Sequence, residues 1–331
     1  MRETYLQTFH GLPVHAVVDG VVVRVHGDPD EPGEPVPMPE PGTAAWRVAA
    51  GPITWDETTG DATVDGPEFA EALDLLLRRV DPAGITAIVA GWWGPEFEDY
   101  DSGQAIDPLV AAADRLTSLE AVFLGDHVTE ETTIAYIDHA DPAPLLRAYP
   151  GLRRLEARGC VIMKEPVEHP GLEVLRIESG GLPGETVRTI GDGVFPALRH
   201  LELWLGVIHY GGDSGPDDWA GILSGAGLPA LRHLGLQDSE DQDDVAAAVA
   251  TAPVVARLES LRLSMGTLSD VGAEALLSGQ PLTHLRELDL DHHYLSEPMV
   301  ERLRAALPGV RVSARAGGAP DDDDRYVAVA E

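Results

Sequence analysis

Glu287, Asp289, Asp291 and His293 stand at alternate positions, which on an extended strand turns all four side chains to one face. Carboxylates and an imidazole gathered in this way could hold a divalent ion. Asp138-His139, and His209 with Asp213, supply the acid and histidine of a hydrolytic site. No serine or cysteine stands in a nucleophile motif beside either pair, so both are expected to be surface loop residues. Glu178-Ser-Gly180-Gly181 lacks the lysine and the strand-glycine-helix spacing that cradle a phosphate. Trp92, Trp93, Phe97 and Tyr100 form an aromatic cluster that could be a packed seam or a ligand cage. The expectation is a chain that is not an enzyme, with no catalytic residue, no metal and no cofactor.

The elements that must position these groups come from a repeat. Leu198-Arg-His-Leu201-Glu-Leu203 returns as Leu231-Arg-His-Leu234-Gly-Leu236, Leu258-Glu-Ser-Leu261-Arg-Leu263 and Leu285-Arg-Glu-Leu288-Asp-Leu290. The starts lie 33, 27 and 27 residues apart, close to the leucine-rich-repeat period of about 20 to 29. Weaker copies begin at Ile85, Leu119, Leu152 and Leu172, and a closing copy uses Leu307, Val310 and Val312. Places nine and eleven of the longer signature are held by Cys160 and Ile162, Gly206 and Ile208, and His293 and Leu295, among others. Cys160 is therefore expected inside a buried turn.

Between strands, Ser269 precedes an apolar stripe from Val271 to Leu277, acidic residues precede Val245 to Val249, and Ser296-Glu-Pro298 opens Met299 to Leu307. Capping serines, early proline and acidic first turns are helix starts. The fold expected is α/β: a leucine-rich-repeat solenoid, or horseshoe, over 67–313, with a parallel concave sheet and outer helices. Residues 1–66, with alternating runs at 14–25 and 46–55, read as a small β-rich cap, and the first helix as 67–79. Residues 314–331 read as an acidic flexible tail, in which 326–330 could pair as a short strand.

The 331 residues carry 23 Lys and Arg against 56 Asp and Glu, a formal net charge of −33. That surface repels phosphates, so partners are expected to be neither nucleic acid nor membrane. The single cysteine excludes a disulfide within one chain. No apolar run approaches the roughly 18 residues of a membrane span, and the first residues lack a signal-peptide pattern, so a cytoplasmic location is expected.

The strand-helix units resemble the ribonuclease-inhibitor-like class of leucine-rich repeats over about 85–313. The stretches 85–92, 178–183, 201–206, 279–285, 292–296 and 325–331 resemble, more closely and over nearly the whole chain, a bacterial family of cytoplasmic leucine-rich-repeat proteins. That family has no assigned activity, and its members tend to be encoded beside radical-S-adenosylmethionine-type and phosphoesterase-like proteins. The resemblance implies a fold and neighbours and transfers no catalytic residue.

With places one, four and six turned inward, places three, five and seven face the concave side. Place five reads Val89, Phe123, Glu156, Arg176, Glu202, Gly235, Arg262, Asp289 and Arg311, with alternating charge from Glu156 onward. Stacked opposite charges support one another, so a structural ladder is expected in place of a metal site. In it Asp289 lies between Arg262 and Arg311, while Glu287 and Asp291 stay unpaired. Gly235 interrupts the ladder and leaves either a notch near 10 Å wide, two strand spacings, between Glu202 and Arg262, or only a relaxed sheet curvature with the space filled by Trp204 folding over it. His200 and His233 rim it on one side and Trp204 and Gln237 on the other. The expected function is a non-catalytic scaffold that takes a protein partner at this notch, since Trp and Arg often anchor interfaces. The alternative binding surface is Trp92, Trp93 and Tyr100. The alternative functions are an accessory subunit that presents substrate to a neighbouring enzyme, or a hydrolase with an unrecognised site.

Overall fold

Leucines at places one, four and six of the four strongest copies are all buried, from Leu198, Leu201 and Leu203 through Leu285, Leu288 and Leu290. Burying an aliphatic side chain contributes roughly 1.5–3 kcal/mol, so these rows tie each strand to the helix that follows it. The computed structural model describes residues 3–29, 31, 33–51, 53–55, 62–64, 66–94, 103–319 and 324–331. The chain divides into two compact units, Met1–Gly159 and Cys160–Glu331.

The first unit contains β1 (Thr8–Phe9), β2 (Leu12–Val18), β3 (Val21–Arg24), β4 (Glu34–Pro35), β5 (Ala45–Val48), β6 (Ile53–Trp55), β7 (Ala62–Val64), α1 (Phe69–Arg79), β8 (Ala87–Ala90), α2 (Gly103–Ala111), β9 (Ala121–Leu124), β10 (Asp138–His139), α3 (Ala143–Ala148) and β11 (Arg154–Arg158). Strands β1 to β4 make antiparallel hairpins, and β2, β5, β8, β9 and β11 form a parallel series. Parallel pairing thus begins inside residues 1–66, the stretch read from the sequence as a small β-rich cap. Ala45, Trp46 and Val48 are buried, and that near-continuous apolar run suits a strand covered on both faces.

The second unit contains β12 (Cys160–Val161), β13 (Val174–Glu178), α4 (Gly184–Asp192), β14 (His200–Gly206), α5 (Pro216–Ser224), β15 (His233–Ser239), α6 (Gln242–Ala250), β16 (Ser260–Arg262), α7 (Asp270–Ser278), β17 (Glu287–Asp289), α8 (Glu297–Ala306) and β18 (Arg311–Ser313). Strands β13 to β18 pair in parallel, in sequence order. Ser269 accepts from the amide of Val271, and Ser296 from that of Met299, so the two expected caps are in place.

Three expectations fail locally. Cys160 is half-buried and Ile162 exposed, while Val161 and Met163 point inward. Gly159, at φ 125°, turns the chain one residue out of step, and a one-residue slip exchanges the two faces. The last copy is displaced by two residues, for β18 pairs Val312 with Leu288 at place four. Pro308 and Gly309, the latter at φ 88°, make the turn and delay pairing to Arg311. Residues 324–331, expected as part of a flexible tail with a terminal strand, form no strand and pack with Val327 buried. Asp321, Asp322 and Asp323 of the acidic run lie outside the described residues.

Candidate functional site

The register brings the predicted residues together. His200 lies opposite His233, Glu202 opposite Gly235, Trp204 opposite Gln237, and Gly235 opposite Arg262. All stand on β14, β15 and β16, whose inward leucines fix which side chains face outward. The rings of His200 and His233 are 5.6 Å apart between centroids and tilted by 32°. Burial and the neighbouring His200 hold the His233 imidazole below the usual histidine range.

Glu202, 3% exposed, is the hub. One carboxylate oxygen accepts from Arg176 Nε at 2.8 Å and from the Trp204 indole at 3.3 Å. The other lies 3.3 Å from His200 Nε2 and 3.3 Å from an Arg262 guanidinium nitrogen. Burial pushes this carboxyl up, but the His200 hydrogen bond and the charges of Arg176 and Arg262 outweigh it and hold the group well below the usual carboxylate range. A carboxylate so stabilised is a poor base at neutral pH.

The notch is bridged. With no side chain at Gly235, Arg262 reaches across that strand to Glu202. The Gln237 amide leans into the remaining space: a Cβ added at Gly235 would lie 2.9 Å from Gln237 Nε2 and 3.0 Å from Glu202 Cγ. Gln237 is 3% exposed; its Oε1 accepts from Ser264 Oγ at 2.7 Å, and its Nε2 has no partner among the described residues. The space at Gly235, which the sequence left either open or filled by Trp204, is instead closed by a polar bridge of Arg262 and Gln237. Trp204 remains half-exposed, with the Arg176 guanidinium 5.6 Å from its ring centre.

Arg176 was missed as a site residue. It holds two carboxylates, Glu178 at 2.8 Å and Glu202 at 2.8 Å. The alternation at place five was the signal that could have selected it. Arg262, drawn toward Glu202, does not form the expected pair with Asp289. Burial and the nearby Asp291 raise the Asp289 carboxyl above its ordinary value, against hydrogen bonding from the Asp291 amide and the charge of Arg262. The other acids are paired where they were expected not to be: Glu287 with Arg311 at 2.6 Å, and Asp291 with Arg315 at 2.5 Å and Ser313 at 2.7 Å. The two-residue displacement of β18 places Arg311 opposite Glu287 and Ser313 opposite Asp289. His293 is buried, and its Nδ1 accepts from the Leu295 amide at 3.0 Å. Among the described residues no group of three or more His, Cys, Asp and Glu is arranged to hold a metal ion.

In the first unit, Trp92 is 7% and Trp93 4% exposed, so neither offers an open aromatic face; Tyr100 and Phe97 lie outside the described residues. Trp93 packs at a tilt between His127, at 4.5 Å, and His139, at 5.1 Å between ring centres. His139 was expected on a surface loop and is instead buried, with Nε2 donating to the Arg158 carbonyl at 2.8 Å. Burial lowers His139 to about 4 and, with His139 and Arg47 nearby, His127 to about 3. The two imidazoles stay neutral and serve as packing. In the second unit His209 and Asp213 are exposed, as expected, and Asp213 accepts from the Gly184 amide at 2.7 Å at the start of α4.

Among the described residues no helix is long and apolar enough to cross a membrane. No protein-family model matches the chain, and no curated protein matches it. The fold is similar to the crystal structure of a Bacteroides fragilis protein solved as a structural genomics target, with a TM-score of 0.71 and 27% identity over 85% of this chain and 76% of that one. The similarity supports a mixed α/β, repeat-like architecture with a mostly parallel sheet.

Proposed function

We propose that the chain is a non-catalytic binding scaffold of leucine-rich repeats, built as a horseshoe, whose concave face around Glu202 and Trp204 holds a protein partner in the bacterial cytoplasm. The observation that carries this reading is the fixed rung Arg176–Glu202–Arg262, with the half-exposed Trp204 tied to it. Side chains already held in place lose little freedom on binding, and Trp and Arg are frequent interface anchors. Glu202 is saturated with donors, which suits recognition and not proton transfer. A formal charge of −33 disfavours nucleic acid and anionic membrane as the partner.

Affinity capture from native lysate with the parent chain, Trp204→Ala and Arg262→Ala tests this reading. A protein captured stoichiometrically by the parent should fall at least about tenfold with each variant, the effect of losing one anchor worth ~1.4 kcal/mol. Equal capture by folded variants would remove the concave face as the site.

A further inference from the structure

Place eight of three successive repeats is held by Asp238, Met265 and His292, and all three have left-handed backbones, at φ 58°, 72° and 58°. Such conformations are uncommon outside glycine and persist where the surroundings impose them. Here the cause is visible. Each amide turns sideways to the next strand: Asp238 donates to the Ser264 carbonyl at 2.9 Å, Met265 to that of Asp291 at 2.7 Å, and His292 to that of Arg315 at 2.7 Å. The Met265 carbonyl and the side chains of Asp238 and His292 are left to meet whatever crosses the ends of the strands.

The chain's own C-terminal residues cross there. The Ala328 amide donates to the Met265 carbonyl at 2.7 Å, and the Val329 amide to Asp238 Oδ1 at 3.1 Å. The Tyr326 carbonyl accepts from His292 Nε2 at 3.0 Å and from the Tyr294 hydroxyl at 3.1 Å, and the Tyr326 amide donates to that hydroxyl at 3.0 Å. Tyr326 packs edge-on against His292 and Tyr294, Arg325 lies over the Tyr294 ring at 5.6 Å, and the Tyr210 hydroxyl bonds the Glu331 carboxylate. One side chain of the segment, Val327, is buried. Recognition is therefore mostly of backbone amides and carbonyls, with an Arg-Tyr-Val pattern read by side chains.

We propose that the ledge of Asp238, Met265, His292 and Tyr294 is a peptide-binding site, and that residues 325–331 are its exchangeable resident ligand. The ledge is built into the sheet, whereas the segment forms no strand or helix and is anchored at a single apolar residue, the profile of a locally unfolding element. Its departure leaves the Asp238 carboxyl, the Met265 carbonyl and the Tyr294 hydroxyl needing new partners, which a peptide of the same pattern supplies. Asp238 supports this reading: it is wholly buried, its Oδ2 has no partner among the described residues, and burial pushes it up to about 8 against hydrogen bonding from the Val329 and Ala328 amides of the segment.

Two measurements on the full chain decide the matter. Hydrogen exchange of the parent should show the amides of Ala328 and Val329 exchanging at least about 100-fold faster than those of Leu234 and Leu261 in the sheet. A labelled synthetic peptide of residues 324–331, followed by fluorescence anisotropy, should bind the Val327→Asp chain at least about tenfold more tightly than the parent, because the tethered segment no longer competes. Protection of Ala328 and Val329 equal to that of the strands would make the segment a permanent part of the fold and overturn the proposal. So would a folded Val327→Asp chain that binds the peptide no better than the parent. If that variant does not fold, the exchange result on the parent decides alone.

Discussion

Glu202 gathers four donors in a buried position, so its replacement tests whether the rung is held as described. Glu202→Gln should cost about 2 kcal/mol at pH 7, the scale of a lost charged hydrogen bond, as read by urea denaturation. Its folded carboxyl titrates below the unfolded value of roughly 4.3. The stabilisation is therefore fully present above that value and is lost as pH falls through the lower folded one, so parent and variant should converge in acid. His127 has the opposite charge logic. It is neutral when buried, with its folded value lowered to about 3, so the unfolded chain binds the extra proton below pH ~6.5. The His127 contribution to stability should then fall by about 1.4 kcal/mol for each pH unit between ~6.5 and ~3, and His127→Phe should remove that one-proton part of the slope in pH-dependent unfolding. At this scale the sequence identified Glu202, Trp204 and Arg262 through their places in the repeat. It could not show that Arg262 would choose Glu202 over Asp289, because that choice depends on the reach of a long side chain across a glycine.

Helix starts in the second unit are chained to one another. Asp243 accepts from the Ser269 amide at 2.8 Å, and Asp270 accepts from the Ser296 amide at 2.8 Å and its hydroxyl at 2.7 Å, while both serines cap their own helices. Each acid thus joins the first turn of one repeat to the cap of the next, where the helix end favours negative charge. Ser269→Ala and Ser296→Ala should each cost about 1 kcal/mol in thermal or urea unfolding, with Asp270→Ala at least as costly because it strands two donors at Ser296. The caps were legible, since serine before an apolar stripe is a local signal. The slip at Cys160 and the displacement of β18 were not, because left-handed Gly159 and Gly309 change the register through backbone geometry and not side-chain pattern. The left-handed row at Asp238, Met265 and His292 was equally hidden, for none of the three is a glycine.

On the scale of the whole molecule, a period of strands and helices was legible because each leucine row must be buried by its neighbours. The starting point of the parallel pairing was not, since Ala45–Val48 lacks leucine and follows a proline-rich stretch of sequence at 29–41. The division into two compact units at Gly159 and Cys160 falls within the repeats and has no signal in composition. On the proposed reading the chain acts by the surface it presents, so the decisive measurement is where a captured protein partner protects it. Hydrogen exchange of that complex should slow the amides of 200–206, 233–239 and 260–262 relative to the free chain, as expected when a partner lies over the exposed face of β14, β15 and β16. Protection confined to helices α4 to α8, with those three strands unchanged, would contradict the proposed site of recognition on β14, β15 and β16.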